Sequence, residues 1–116
     1  MTARLASGVL VSALIRKVQA DGGAAMVLAR GDDMAGALLL VLAERGHIAS
    51  MRERGMRPDG SSAWIETGPK DADAPGALSE YIARRRRSDP DLWVVELDGI
   101  TAERVDALLD AISGDR

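Results

Sequence analysis

The sequence predicts an α+β fold: a mainly antiparallel sheet of about five strands with helices packed on it, in the order α-β-β-β-β-α-β-α. Three observations carry this. Apolar residues recur at helical spacing near both ends of the chain, short β-capable runs punctuated by turn residues fill the middle, and a single apolar run stands alone between two late helical stretches. The 116 residues fit one domain, 1–116, large enough to bury a core without disulfides or metals.

Leu10, Val11, Leu14, Ile15 and Val18 share one arc at 100° per residue, opposite Gly8, Ser12, Arg16 and Gln19, which predicts an amphipathic first helix. The apolar stretch 5–15 behind Arg4, with Val18-Gln19-Ala20 after it, also has the outline of a secretory signal. Arg16 and Lys17 stand where such a signal excludes basic residues, so the core helix is the better reading. Eleven apolar residues are too few to cross a bilayer, and no membrane partner is expected.

Asp21-Gly22-Gly23 ends the helical pattern with residues that tolerate positive φ. Two apolar runs follow, Ala24 to Ala29 and Ala37 to Leu42, separated by Arg30-Gly31-Asp32-Asp33 and Gly36. Periodicity does not separate helix from strand over 24–42, because Ala, Met and Leu favour helix while run length and bracketing glycines favour strands. Strands with a hairpin-like link are the reading adopted.

Ile48 to Arg54 leads through Arg57-Pro58-Asp59-Gly60 into Ser61 to Thr67, a hairpin. Pro presets φ, Asp bonds the local backbone and Gly takes the left-handed position. Its polar residues, Arg52, Glu53, Arg54 and Glu66, suggest a partly exposed end of the sheet. Residues 68–76 read as a loop, and Ala77 to Arg87 as a helix with Leu78, Tyr81 and Ile82 on one face and Glu80 four residues before Arg84. Asp89-Pro90 stops it. Leu92 to Leu97 is apolar on both faces, as an interior strand is. In the last helix Thr101 is the N-cap, Ile100 and Val105 take the staple positions, and Val105, Leu108, Leu109 and Ile112 form the stripe before Gly114.

Composition removes several chemistries. There is no cysteine, so thiol nucleophiles, redox pairs and Cys-based metal sites are excluded, and a reducing, cytoplasmic location is expected. With one histidine, a metal site would depend on carboxylates. No residue set qualifies as catalytic or metal-ligating, no phosphate loop is present, and no cofactor is implied. Trp64, Tyr81 and Trp93 are the only aromatics, and the net charge is −3. Residues 1–50 carry 5 basic against 4 acidic residues, and 51–116 carry 10 against 14, so the second part is denser in both signs.

The conspicuous feature is Arg84-Arg85-Arg86-Arg87, followed by Asp89 and Asp91. Cations suit the negative end of a helix dipole, and a solvated last turn accounts for most of the run. Four consecutive residues nevertheless cover every side of a helix. Arg85 falls in the arc of Leu78, Tyr81 and Ile82, so its stem should be covered and its guanidinium directed into a carboxylate, with Glu96, Asp89 and Asp91 as candidates. Arg84, Arg85, Arg86, Arg87, Asp89 and Asp91 are therefore the candidate ligand- or partner-binding residues, facing a small anion or an acidic protein. An acidic balance, with a pI near 5.1, and few rings disfavour nucleic acid. Arg30-Gly31-Asp32 is a turn, His47 a turn residue, and the pairs Asp32/Asp33, Asp71/Asp73 and Asp89/Asp91 sit where Asp bonds local backbone.

Arg4-Leu5-Ala6-Ser7-Gly8 with Val11-Ser12-Ala13-Leu14-Ile15-Arg16, Arg30-Gly31-Asp32 with Ala35-Gly36-Ala37, and Arg84 to Arg87 with Asp89-Pro90-Asp91-Leu92-Trp93-Val94-Val95-Glu96 resemble a small bacterial family labelled domain of unknown function 1491. The resemblance covers most of residues 4–97 and implies a single-domain, cytoplasmic, mixed α/β protein without implying any activity. A non-enzymatic interaction or ligand-binding domain is the leading reading, with an enzyme on a small anionic substrate and a weak nucleic-acid binder as alternatives. Sheet edges invite pairing between chains, so a homodimer is expected.

Overall fold

The helical stripes at the two ends of the chain share one face of a single sheet. In the computed structural model, which describes residues 5–56, 58–60 and 62–113, the elements are α1 (Ser7–Ala20), β1 (Ala24–Ala29), β2 (Leu38–Glu44), β3 (His47–Met56), β4 (Ser62–Thr67), α2 (Ala77–Ser88), β5 (Trp93–Asp98) and α3 (Ala102–Ser113). This is the predicted element order. Arg4, Arg57, Ser61 and Gly114, invoked above, lie outside the described residues.

The five strands run in the spatial order β1-β5-β2-β3-β4. Three pairings are antiparallel, but β2 and β5 are parallel, from Leu38 opposite Trp93 to Ala43 opposite Asp98. The sheet is therefore mixed, and the expected hairpin between β1 and β2 does not exist. β5 separates the two. The reason is burial: β2 and β5 are apolar on both faces and take the centre of the sheet, which expels β1 to the edge.

Alternation then sorts the core. Leu38, Leu40 and Leu42 of β2 with Trp93, Val95 and Leu97 of β5 face Val11, Leu14 and Val18 of α1 and Val105, Leu108 and Leu109 of α3. Leu39, Val41 and Val94 point the other way, toward Met51, Leu92 and Tyr81 under α2. The last helix starts as predicted, with Thr101 Oγ1 accepting the Arg104 N–H at 3.1 Å and Ile100 packed with Val105 in the core. The β3–β4 hairpin also stands as predicted, with Gly60 at φ 89°.

Because β5 lies between β1 and β2, residues 30–37 must cross the end of β5 at close range. They do so on glycine. A Cβ on Gly31 would overlap the Asp91 carbonyl oxygen and the Trp93 backbone and ring, and one on Gly36 would overlap the same carbonyl. The loop is stitched down on both sides: Asp32 N–H donates to Asp91 O at 3.0 Å, Trp93 N–H to Ala37 O at 2.8 Å and Trp93 Nε1 to Asp32 O at 2.7 Å. It also closes the start of α1, taking the Gly8 N–H on Asp33 O at 2.8 Å and the Ser7 hydroxyl on Gly36 O at 2.6 Å.

Gly31→Ala should therefore cost about 3 kcal/mol by forced overpacking, read as a lowered urea midpoint at unchanged slope. Gly46→Ala, where the added carbon meets open space, reports the backbone cost alone and should cost about 1 kcal/mol.

Candidate functional site

Helix α2 carries Tyr81 into the core, and Arg85, one turn later, follows it onto the same face. Its guanidinium meets Glu53 of β3 as a fork, Nη1 to Oε1 at 2.7 Å and Nη2 to Oε2 at 2.6 Å, while Nη1 also donates to the Tyr81 hydroxyl at 2.9 Å. The Arg85 and Glu53 side chains keep 26% and 21% of their surface exposed, so the pair is only partly screened by water. Glu53 holds the guanidinium pKa further above its ordinary range, with Tyr81 adding to it against the opposing effect of burial.

The covered stem and carboxylate partner are as expected, but the carboxylate is not Glu96, Asp89 or Asp91. Glu53 lies in the same side-chain register as Met51, the β3 residue that packs under α2. That alternation was the available signal, and it was missed because the charges of this hairpin were read as a solvent-facing group. Arg52 is covered as well, on the opposite face, with its guanidinium 3.7 Å from Asp106 and 3.9 Å from Glu66.

The other three arginines part company. Arg86 Nη1 donates to two carbonyl oxygens, Arg30 O at 2.9 Å and Leu92 O at 3.0 Å, and so ties the end of α2 to the crossing loop and to the start of β5. Arg84 and Arg87 are exposed, with the Arg84 guanidinium 5.4 Å from the centre of the Tyr81 ring. Asp89 caps the helix: its N–H donates to Arg85 O at 2.9 Å, and its Oδ1 accepts the Asp91 N–H at 3.2 Å. Asp91 holds the crossing loop through its main-chain oxygen and leaves its residue surface exposed. The six predicted residues thus lie together at the end of α2, two of the cations held by framework partners and two exposed.

The remaining singled-out groups are also structurally engaged. Asp32 Oδ2 accepts the N–H groups of Met34 at 3.1 Å and Ala35 at 2.8 Å, and Arg30 pairs with Asp33 at 3.2 Å, so Arg30-Gly31-Asp32 is not itself the expected strand-linking turn: the turn is Asp33–Ala35, which the Asp32 side chain opens. Asp73 Oδ1 accepts the Ile48 N–H at 2.8 Å, and His47 Nδ1 lies 3.1 Å from Oδ2. The Ile48 N–H, then His47, hold the Asp73 carboxyl below its ordinary value. Asp21 is lowered in the same way by Arg104, whose Nε lies 2.6 Å away and fastens α3 to the end of α1. Among the described residues no group of His, Asp and Glu could hold a metal ion, and no helix is long and apolar enough to cross a membrane.

Residues 5–106 match the family described as protein of unknown function (DUF1491). Among solved structures, the chain is similar to the crystal structure of a DUF1491 family protein from Caulobacter crescentus CB15, at 34% identity over 82% of this chain and 88% of that one, with a TM-score of 0.70. An NMR structure of a DUF1491 family protein from the same organism gives 33% identity over 83% and 86%, with a TM-score of 0.68. The solution structure of an A. tumefaciens protein gives 28% over 89% and 92%, with a TM-score of 0.67. No curated protein matches.

Removing one partner of the fork leaves the other half-buried and unpaired, so Glu53→Ala should cost about 2 kcal/mol, discounted from a fully buried pair for partial exposure. Arg85→Lys should recover little of it, because an ammonium cannot make two parallel bonds. Chemical denaturation of both variants checks this. Asp73 is lower in the folded protein than unfolded, so its stabilisation is complete above the ordinary carboxyl value of 3.8 and lost as pH falls through the lower folded value. The stability gap between wild type and Asp73→Asn should close over that acid window in pH-dependent melts.

Proposed function

The chain belongs to the DUF1491 family, whose function is unknown, and we propose that it is a single-domain, cytoplasmic, non-enzymatic binding module whose contact surface is the arginine turn. One observation carries this reading. Within four consecutive arginines, Arg85 and Arg86 are consumed in holding the turn against β3, the crossing loop and β5, while Arg84, its guanidinium against the Tyr81 ring, and Arg87 remain exposed on that braced backbone. Two exposed cations on the braced backbone at the end of a helix form a receptor for a carboxylate-bearing or phosphate-bearing partner in which no backbone freedom is lost on binding, although each side chain gives up its own. Asp89 and Asp91 beside them limit the positive field, which favours one short acidic segment of protein over the long anionic track of a nucleic acid. The absence of cysteine supports a reducing location.

The test uses a fluorescent Glu-rich decapeptide and inorganic phosphate as probes. The double variant Arg84→Gln/Arg87→Gln should keep its melting temperature within about 2 °C, because exposed charges contribute little to stability, and lose at least about tenfold in affinity for the peptide. Equal binding by wild type and variant, or no binding by the wild type, contradicts the proposal. Binding to phosphate alone would restrict the ligand to a small anion.

A further inference from the structure

The edge strand β1 is Ala-Ala-Met-Val-Leu-Ala, six residues without a charge or a proline. Among the described residues only β5 pairs with it, so its other edge presents main-chain donors and acceptors outward. Met26, Val27 and Leu28 remain 60%, 41% and 36% exposed. Solitary edge strands are ordinarily blunted by charge, proline or irregularity. Here the one irregularity, a register shift between Val27 and Ala29, touches the far end and leaves Ala24–Val27 regular. The opposite edge, β4, differs in carrying Glu66, 3.9 Å from the Arg52 guanidinium.

We infer that β1 is the pairing surface for a second copy of this chain, joined antiparallel across a two-fold axis into one ten-stranded sheet. Charge at the strand ends selects this occupant. β1 starts opposite Asp98, its register partner at Ala24, close after Asp21, which Arg104 already pairs, and is followed by Arg30, whose guanidinium pairs with exposed Asp33 and lies 5.3 Å from the centre of the Trp93 ring. An antiparallel two-fold sets Arg30 of each copy against the acidic end of the other, and it closes on itself where a head-to-tail pairing would grow into fibres.

Strand pairing over six residues falls short of the about 800 Å² per partner that specific complexes bury. The deficit is met next door. A groove of about 530 Å³ runs between α1 and β1, lined by Val9, Ile15, Val27, Met34 and Trp93 with Arg16 at its rim. A two-fold perpendicular to the sheet keeps both copies of α1 on the same face, so each covers the other's groove.

Light scattering on a sizing column at tens of micromolar should show twice the 12.3 kDa chain mass. Met26→Lys should give the monomer with an unchanged fold by circular dichroism, Arg30→Glu should weaken the dimer at least tenfold, and Ile65→Lys on β4 should leave it intact. A wild type that is monomeric throughout overturns the inference, as does a dimer broken by Ile65→Lys and indifferent to Met26→Lys. Should Met26→Lys fail to fold, amide exchange of the wild type decides: the outward amides of Ala24–Val27 should be protected at high concentration and exposed on dilution. Protection independent of concentration means that the edge is covered from within the same chain, and overturns it.

Discussion

The packing of the molecule depends on one steric constraint, the passage of residues 30–37 over the end of β5 at contact distance. Two buried central strands belong side by side, and the chain supplies them fifty-five residues apart in register, so the segment leaving β1 has to step across the place β5 will occupy. The step is possible only because Gly31 and Gly36 present bare backbone to the Asp91 carbonyl. Once the loop lies there, its carbonyls complete the first turn of α1, receive the Trp93 indole and receive Arg86 from α2. Both helical layers and the sheet are joined at that crossing.

The arginine run makes sense in the same frame. A helix ending above a crowded crossing has carbonyls to satisfy and a β3 carboxylate within reach, and consecutive residues on a helix point in four directions. Arg85 finds Glu53 and Tyr81, and Arg86 finds the crossing. Two of the four cations are therefore part of the framework, and any binding role falls to the two that stay exposed, Arg84 against the Tyr81 ring and Arg87. The charge feature that drew attention in the sequence is half scaffold.

Local rules carried most of the fold. The α1 stripe, the Pro-Asp-Gly hairpin, the Thr101 cap and the interior character of residues 92–97 follow from side-chain periodicity and turn chemistry acting over a few residues, and each stands in the structure. Strand order does not. Whether β1 pairs with β2 depends on how much apolar surface a later segment brings to compete for the same neighbour, and that balance is global. The partner of Arg85 failed for a related reason: the candidates considered were near in sequence or on the adjoining strand, while Glu53 is 32 residues away. Its register with Met51 was visible, but only the placement of α2 over that face turns an alternating carboxylate into a partner.

The central position of β5 also sets an order of events for a chain emerging N-terminus first. β2, β3 and β4 are joined by short links and can assemble as a meander as soon as residue 67 is available. β1, although made before them, has no neighbour until residues 93–98 arrive, and β2 keeps an open apolar edge for the same interval. The sheet therefore closes last at its middle. A nascent chain with residues 1–67 clear of the ribosome and residues 93–98 not yet released has two unsatisfied edges, the species most in need of a chaperone.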